Sequence, residues 1–255
     1  MGSHGGQRRG TLFLHAGLCL FLLLPAAASA DAPGTGYEVE WFDSAEATPA
    51  ARGAIEQALS EPWLDAIDVR LEVSDGGRMP ATLGSCSDYL EVADARVRPV
   101  HGGTTAMIFQ ARALGCQAAT LALAAQPAAI SHLRPLVFDE GLPDRLPWQV
   151  AMITSGAEAE RIAAGRPDAT WRQALFGPLT DFSSCGTYCG RYGDPGAEQV
   201  VQLVARGDFD GDGIEDMLLS SSDAARGGSY RAVRMFVLTR LQADGRVELV
   251  RELDY

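Results

Sequence analysis

One stretch constrains this chain more than any other: Gly207-Asp208-Phe209-Asp210-Gly211-Asp212-Gly213-Ile214-Glu215-Asp216. Carboxylates recur at loop positions 1, 3, 5 and 9, and a glycine follows the third. Carboxylates packed this closely repel one another unless a cation draws them together. Alternate residues of a tightly coiled loop can aim successive side chains inward. A hard cation such as Ca²⁺ takes about 6–8 oxygens at roughly 2.3–2.6 Å. Gly213 permits the sharp turn such a loop needs, where a side chain would obstruct it. The Ile214 carbonyl then supplies a backbone oxygen and Asp216 closes the site, while the Ile214 side chain is expected to face the core and anchor the loop. Apolar runs flank the loop on both sides, Val200 to Ala205 and Met217 to Ser221, so it is expected to join two strands.

Two loop types share this opening. An EF-hand requires a bidentate Glu at position 12, and here that position is Leu219 inside an apolar run. Dockerin-like loops also need a late acidic ligand, which is missing. The pattern Gly-Asp-Phe-Asp-Gly-Asp-Gly-x-x-Asp followed by an apolar strand resembles the calcium loop of FG-GAP/VCBS-type repeats. The resemblance implies Ca²⁺ as the cofactor and a ligand set of Asp208, Asp210, Asp212, Ile214 through its carbonyl, and Asp216. It covers the C-terminal part only. Repeats of that family usually multiply to build a propeller, and this sequence carries a single copy.

The other end of the chain carries a different signal. Arg8 and Arg9 precede an apolar run from Leu12 to Leu24, Pro25 breaks it, and Ala28-Ser29-Ala30 follows. A basic region, an apolar core and a small-x-small end make a secretory signal peptide over residues 1–30, with cleavage after Ala30. The run is shorter than the ~20 residues that span a bilayer, so no stable membrane insertion is expected after cleavage. The Arg8-Arg9 pair also fits twin-arginine export, but Thr11 stands where that signal carries an aromatic residue, which favours the general secretory route. The expected setting is the periplasm or the extracellular medium of a bacterium.

Export gives the cysteines a meaning. Cys19 leaves with the signal, and Cys86, Cys116, Cys185 and Cys189 remain. An even set in an oxidising compartment reads as two disulfides. Three pairings are possible, and proximity in sequence favours Cys86–Cys116 with Cys185–Cys189. The rival is a redox role for Cys185-Gly-Thr-Tyr-Cys189, which has one residue too many for Cys-x-x-Cys. Zinc lacks the paired Cys-x-x-Cys or clustered histidines it needs.

Charge narrows the partners. The formal charge is −12, and loss of Arg8 and Arg9 with the signal takes it to −14. Such a chain has no basic surplus to neutralise phosphates, which argues against nucleic acid, and it is not drawn to anionic lipid. All 21 cationic residues are arginine, and there is no lysine or asparagine, a composition expected from GC-rich codons. Lysine chemistry and N-linked glycosylation are therefore excluded.

Catalytic patterns are sparse. His101-Gly102-Gly103 faintly resembles a lipase oxyanion loop, but Gly-x-Ser-x-Gly is absent. His132 has no partner visible in the sequence, and there is no Walker loop or His-Glu-x-x-His. Asp139-Glu140 and Asp43/Glu46 are the candidate acid pairs for glycoside hydrolysis, and a solvated surface is the simpler reading. Trp41, Trp63, Trp148 and Trp171 could line a sugar site, though packing explains them as well. The leading expectation is an exported, non-catalytic calcium-binding protein that binds another protein or an envelope component. The alternative is a secreted hydrolase with a calcium-stabilised scaffold.

The expected fold class is α+β. A mixed region over residues 31–180 precedes an antiparallel β-meander over 181–255 that carries the calcium loop. Asp31 to Gly36 reads as a loose tail. Strands are expected over Tyr37–Phe42 and along the alternation Ile67, Val69, Leu71, Val73. A helix is expected over Pro49–Leu59, and short helices over Glu158–Ala164 and Thr170–Phe176. Thr104–Arg112 and Ala118–Ala124 read as a strand pair interrupted at Gly115, with a helix possible for the second. Four strands make the meander: 200–205, 217–221, 231–241 and 247–253, the last two joined by an Asp244-Gly245 hairpin turn.

Overall fold

The alternation of apolar and charged residues after Ala66 builds β2 (Pro62–Glu72), which buries Ile67, Val69 and Leu71 and exposes Asp68 and Arg70. A computed structural model describes residues 36–42, 49–72, 76–153, 156–175 and 177–255. Residues 1–30, expected to be a signal segment, with Cys19, most of the expected tail, the Asp43/Glu46 pair, Val73 and Phe176 lie outside the described residues. Strand β2 is the middle of a three-stranded antiparallel sheet, between β3 (Arg78–Ser85) and β4 (Arg96–Pro99). Ahead of it runs α1 (Arg52–Ser60). After β3, Ser85 caps α2 (Cys86–Glu91) by accepting a 3.1 Å hydrogen bond from the Asp88 amide.

The chain then differs from its sequence expectation. The two apolar runs read as strands form one helix, α3 (Thr104–Ala124), 21 residues long. A helix buried on one side advertises itself by a 3.6-residue period, and α3 has little such period because it is buried on two sides. Phe109, Ala113 and Cys116 pack against the small sheet. Leu114, Ala118, Ala119 and Ala122 pack against the large one. Alanine favours helix over strand, and Gly115, which costs about 1 kcal/mol in a helix interior, is outweighed by that burial. The Cys86–Cys116 disulfide ties the start of α2 to the middle of α3 (Cα–Cα 5.3 Å).

The large sheet is a meander of six consecutive antiparallel strands. These are β5 (Asp181–Gly186), β6 (Cys189–Gly193), β7 (Ala197–Gly207), β8 (Asp216–Ala225), β9 (Arg231–Thr239) and β10 (Glu248–Glu252). The four expected strands are β7 to β10, and β5–β6 extends them. A two-residue strand, β1 (Glu40–Trp41), pairs with β7 at Arg206 and Ala205, past the end of β6. The outer strands β5 and β10 each carry a register break, at Ser184/Gly186 and Leu249/Arg251. Cys185–Cys189 closes the β5–β6 hairpin (Cα–Cα 5.0 Å).

Both faces of this sheet are covered, so Met217, Leu218 and Leu219 are all buried. Leu218, Ala205 and Val237 face α3 and α1. Met217, Leu219, Leu203 and Phe236 face the segment from Leu133 to Ala174, so one core joins residues on both sides of position 180. That segment holds α4 (Gly156–Gly165) and α5 (Trp171–Ala174), the latter started by a Thr170/Gln173 capping box. The class is α+β. No helix among the described residues is long and apolar enough to cross a membrane.

Candidate metal centre

The acidic loop joins β7 and β8, the two central strands of the large sheet. Its coil is built by the acids themselves. Asp208 accepts from the Gly211 amide (2.6 Å) and the Gly213 amide (2.9 Å), one on each carboxylate oxygen. Asp210 accepts from the Asp212 amide at 3.2 Å and Asp212 from the Ile214 amide at 2.8 Å. Two positions need a left-handed backbone, and both are glycine: Gly211 (φ 86°) and Gly213 (φ 81°).

This winding brings Asp208, Asp210 and Asp216 together, with a carboxylate oxygen from each inside one 4.8 Å group. Asp208 and Asp216 are buried and Asp210 is exposed. Asp212 stands outside the group, and its Oδ1 accepts from the Ile214 amide. Asp216 Oδ2 accepts from the Phe209 amide at 3.0 Å, whereas its Oδ1 is buried without a hydrogen bond of normal geometry, and so is the Thr239 hydroxyl that lies near the carboxylate. A fully buried carboxylate with an oxygen in this state is costly unless something compensates it. Burial pushes the Asp216 carboxyl from its ordinary 3.8 up to about 6, and the charges of Asp210 and Asp212 add to the rise. An all-oxygen, all-carboxylate donor set fits a hard divalent cation rather than a soft transition metal. The cluster can hold a metal ion.

Ile214 departs from expectation. Its side chain is half-buried and lies outside the three core clusters. The backbone anchors the loop instead. Asp208 exchanges two hydrogen bonds with Gln126 (3.1 and 2.9 Å). The Gly213 carbonyl accepts from Ala129 and Ile130, and the Glu215 amide donates to the Ile130 carbonyl at 2.7 Å. The loop is thus stitched along the segment that follows α3.

Sequence reasoning passed over the residue between two proposed ligands. Glu215 is fully buried. Its carboxylate accepts from the Ser131 hydroxyl at 2.6 Å and from Arg134 through Nε (3.0 and 3.1 Å) and Nη2 (2.6 Å). Arg134 Nη1 donates on to Glu40 at 3.0 Å, and Arg206, itself almost wholly buried, lies 3.5 Å from the other Glu40 oxygen. Nothing local marked it, because Glu215 is one more acid in an acidic loop. Its partners are more than 80 positions away in sequence.

The catalytic candidates disperse. His101 is exposed beside β4, and His132 lends its carbonyl to Arg240. Asp139 is taken by Arg145 and by the Gly141 amide. Trp171 is buried against Tyr192, with ring centroids 4.9 Å apart. Trp41, Trp63 and Trp148 pack on the rims of the three cores. Compared with protein families, curated proteins and solved structures, the chain finds a match in none of the three.

Proposed function

We propose that the chain is an exported calcium-binding protein. Its 208–216 loop is a structural clamp, and its task is to bind another protein or a component of the cell envelope. The observation that carries this reading is the convergence of Asp208, Asp210 and Asp216 within 4.8 Å, with one buried Asp216 oxygen left without a hydrogen bond of normal geometry. Asp212 and the Ile214 carbonyl complete the expected ligand set. Both disulfides suit an oxidising, extracytoplasmic compartment. Calcium there is abundant enough for a site of about 10⁻⁴–10⁻³ M affinity. The position of the loop favours a clamp over chemistry, because it fixes the β7–β8 turn against the segment after α3.

Calcium at ten times its dissociation constant stabilises the fold by about 1.4 kcal/mol, a rise of about 3–5 °C in the thermal midpoint. Thermal unfolding with calcium and with chelator measures it. The Asp210→Ala/Asp212→Ala variant removes two exposed acids and should lose the response. An unchanged midpoint in the native protein, or an undiminished shift in the variant, rejects the calcium assignment.

Acidity should act in opposite directions on the two states of the site. Without metal, the raised Asp216 pKa favours the folded state when the carboxyl is protonated. That contribution is complete below about 4 and is lost as pH rises through about 6. Metal needs the ionised form, so calcium affinity should fall roughly tenfold per pH unit below about 6. Calcium titrations at pH 7.5 and pH 5 would expose the trend, and equal affinities would exclude Asp216 as a ligand.

A further inference from the structure

We propose that metal binding in the 208–216 loop controls the docking of an N-terminal strap, residues 37–42, onto β7. The proposal rests on the calcium reading above and adds a regulated element to it. The strap's regular pairing is short, and Phe42 is its one buried side chain. That pairing is the two residues of β1, with Phe42 donating to the Val204 carbonyl at 2.8 Å and Tyr37 exchanging two hydrogen bonds with Ala128 (2.6 and 2.9 Å).

Much of what holds the strap also holds the loop. Residues 126–130 form a strip between them. On one side Gln126, Ala129 and Ile130 bond to Asp208, Gly213 and Glu215 of the loop; between those contacts Ala128 bonds to Tyr37 of the strap. Arg134 makes a second bridge, because one guanidinium grips Glu215, donates to Glu40 and lies 5.1 Å from the Tyr37 ring centroid. Gly207, the residue before the first acid, makes a third. A Cβ there would come within 3.2 Å of Val39 Cγ2 and of Ala125 Cβ, so loop, strap and the end of α3 meet with no space between them.

A loop wound around a cation keeps Asp208, Gly213 and Glu215 in the register that this layer requires. Without the cation, repulsion among Asp208, Asp210 and Asp216 pushes the coil open and pulls on all three contacts. The strap, whose regular pairing spans two residues, yields where these contacts are pulled. Its release uncovers the backbone edge of β7 at Ala205 and Arg206 and withdraws Phe42 from Tyr188, whose ring lies 5.1 Å away. The metal-poor protein therefore presents a strand edge and aromatic surface that the metal-bound protein covers.

Hydrogen–deuterium exchange of the 37–42 amides in the full chain tests the coupling, read beside the thermal midpoint of the same samples. Calcium at ten times its dissociation constant should slow exchange in this segment about tenfold, and Asp210→Ala should abolish the slowing. A midpoint that rises with calcium while exchange over 37–42 stays the same overturns the coupling and leaves the calcium site standing. Neither response appearing overturns the calcium site, and the coupling with it. Glu40→Ala provides a second arm, because it removes the strap-side acceptor of Arg134 and the carboxylate beside Arg206 and leaves the loop ligands and the Arg134–Glu215 pair in place. Calcium should still raise its midpoint but protect the strap less than in the native protein, and full protection would exclude the Arg134–Glu40 route.

Discussion

Arg134→Met should lower the unfolding free energy by about 3–5 kcal/mol, more than any other single exchange near the loop. The magnitude follows from what the substitution leaves behind. Glu215 has no exposure, and Arg134 supplies all of its cationic hydrogen bonds. Removing the guanidinium strands a buried carboxylate with the Ser131 hydroxyl as its remaining side-chain donor. Ser131 places the loss toward the lower end of the range. Glu215→Gln, which removes the buried charge while keeping an acceptor, should cost less, and Arg134→Met/Glu215→Gln should cost less than the two single losses added together. Urea titrations of the four proteins form the cycle. Strict additivity would mean that the pair is not coupled in solution.

The second large effect belongs to Cys86–Cys116. The bond closes a separation of 30 residues and joins two helices that sit on the small sheet. In the loop-entropy account its removal by Cys86→Ala/Cys116→Ala costs about 3.5 kcal/mol, against about 2 kcal/mol for Cys185→Ala/Cys189→Ala, whose separation is 4. The two losses should also differ in place. Cys116 has no exposure and lies among Tyr89, Val97 and Phe109, so the first variant should loosen the small sheet. The second touches an outer hairpin and should leave the core intact. Equal losses in urea titration would show that loop length is not what sets these contributions.

The sequence made some parts of this molecule legible and hid others for physical reasons. The turn acids could be read because their geometry is local. Acids cap amides two, three and five residues on, and spacing alone reveals that pattern. The strands β7 to β10 could be read because turn residues and short apolar runs punctuate them. The β5–β6 hairpin escaped notice because small polar residues and glycine, with little strand preference, form it around a disulfide. Helix α3 was misread since apolar residues on two faces erase the period that distinguishes a helix from a strand. Glu215 was overlooked because the meaning of a buried acid lies in its partner. Arg134 is 81 positions away, and no spacing rule links them. The cysteine pairing that proximity favoured is the one found, which follows from α2 and α3 being packed against the same small sheet.

The register breaks on the two outer strands have a consequence for the behaviour of the protein in bulk. A sheet that ends in a long, flat strand offers rows of unpaired N–H and C=O groups to any passing chain, and growth by strand addition leads to fibres. Here both margins are short, at six residues in β5 and five in β10, and each is kinked by its irregularity. Glu248, Arg251 and Glu252 put charge along one margin, and the Cys185–Cys189 bond pinches the other. An incoming strand would find neither the length nor the straightness to stay in register. Both margins of the six-strand meander are thereby poor templates for strand addition.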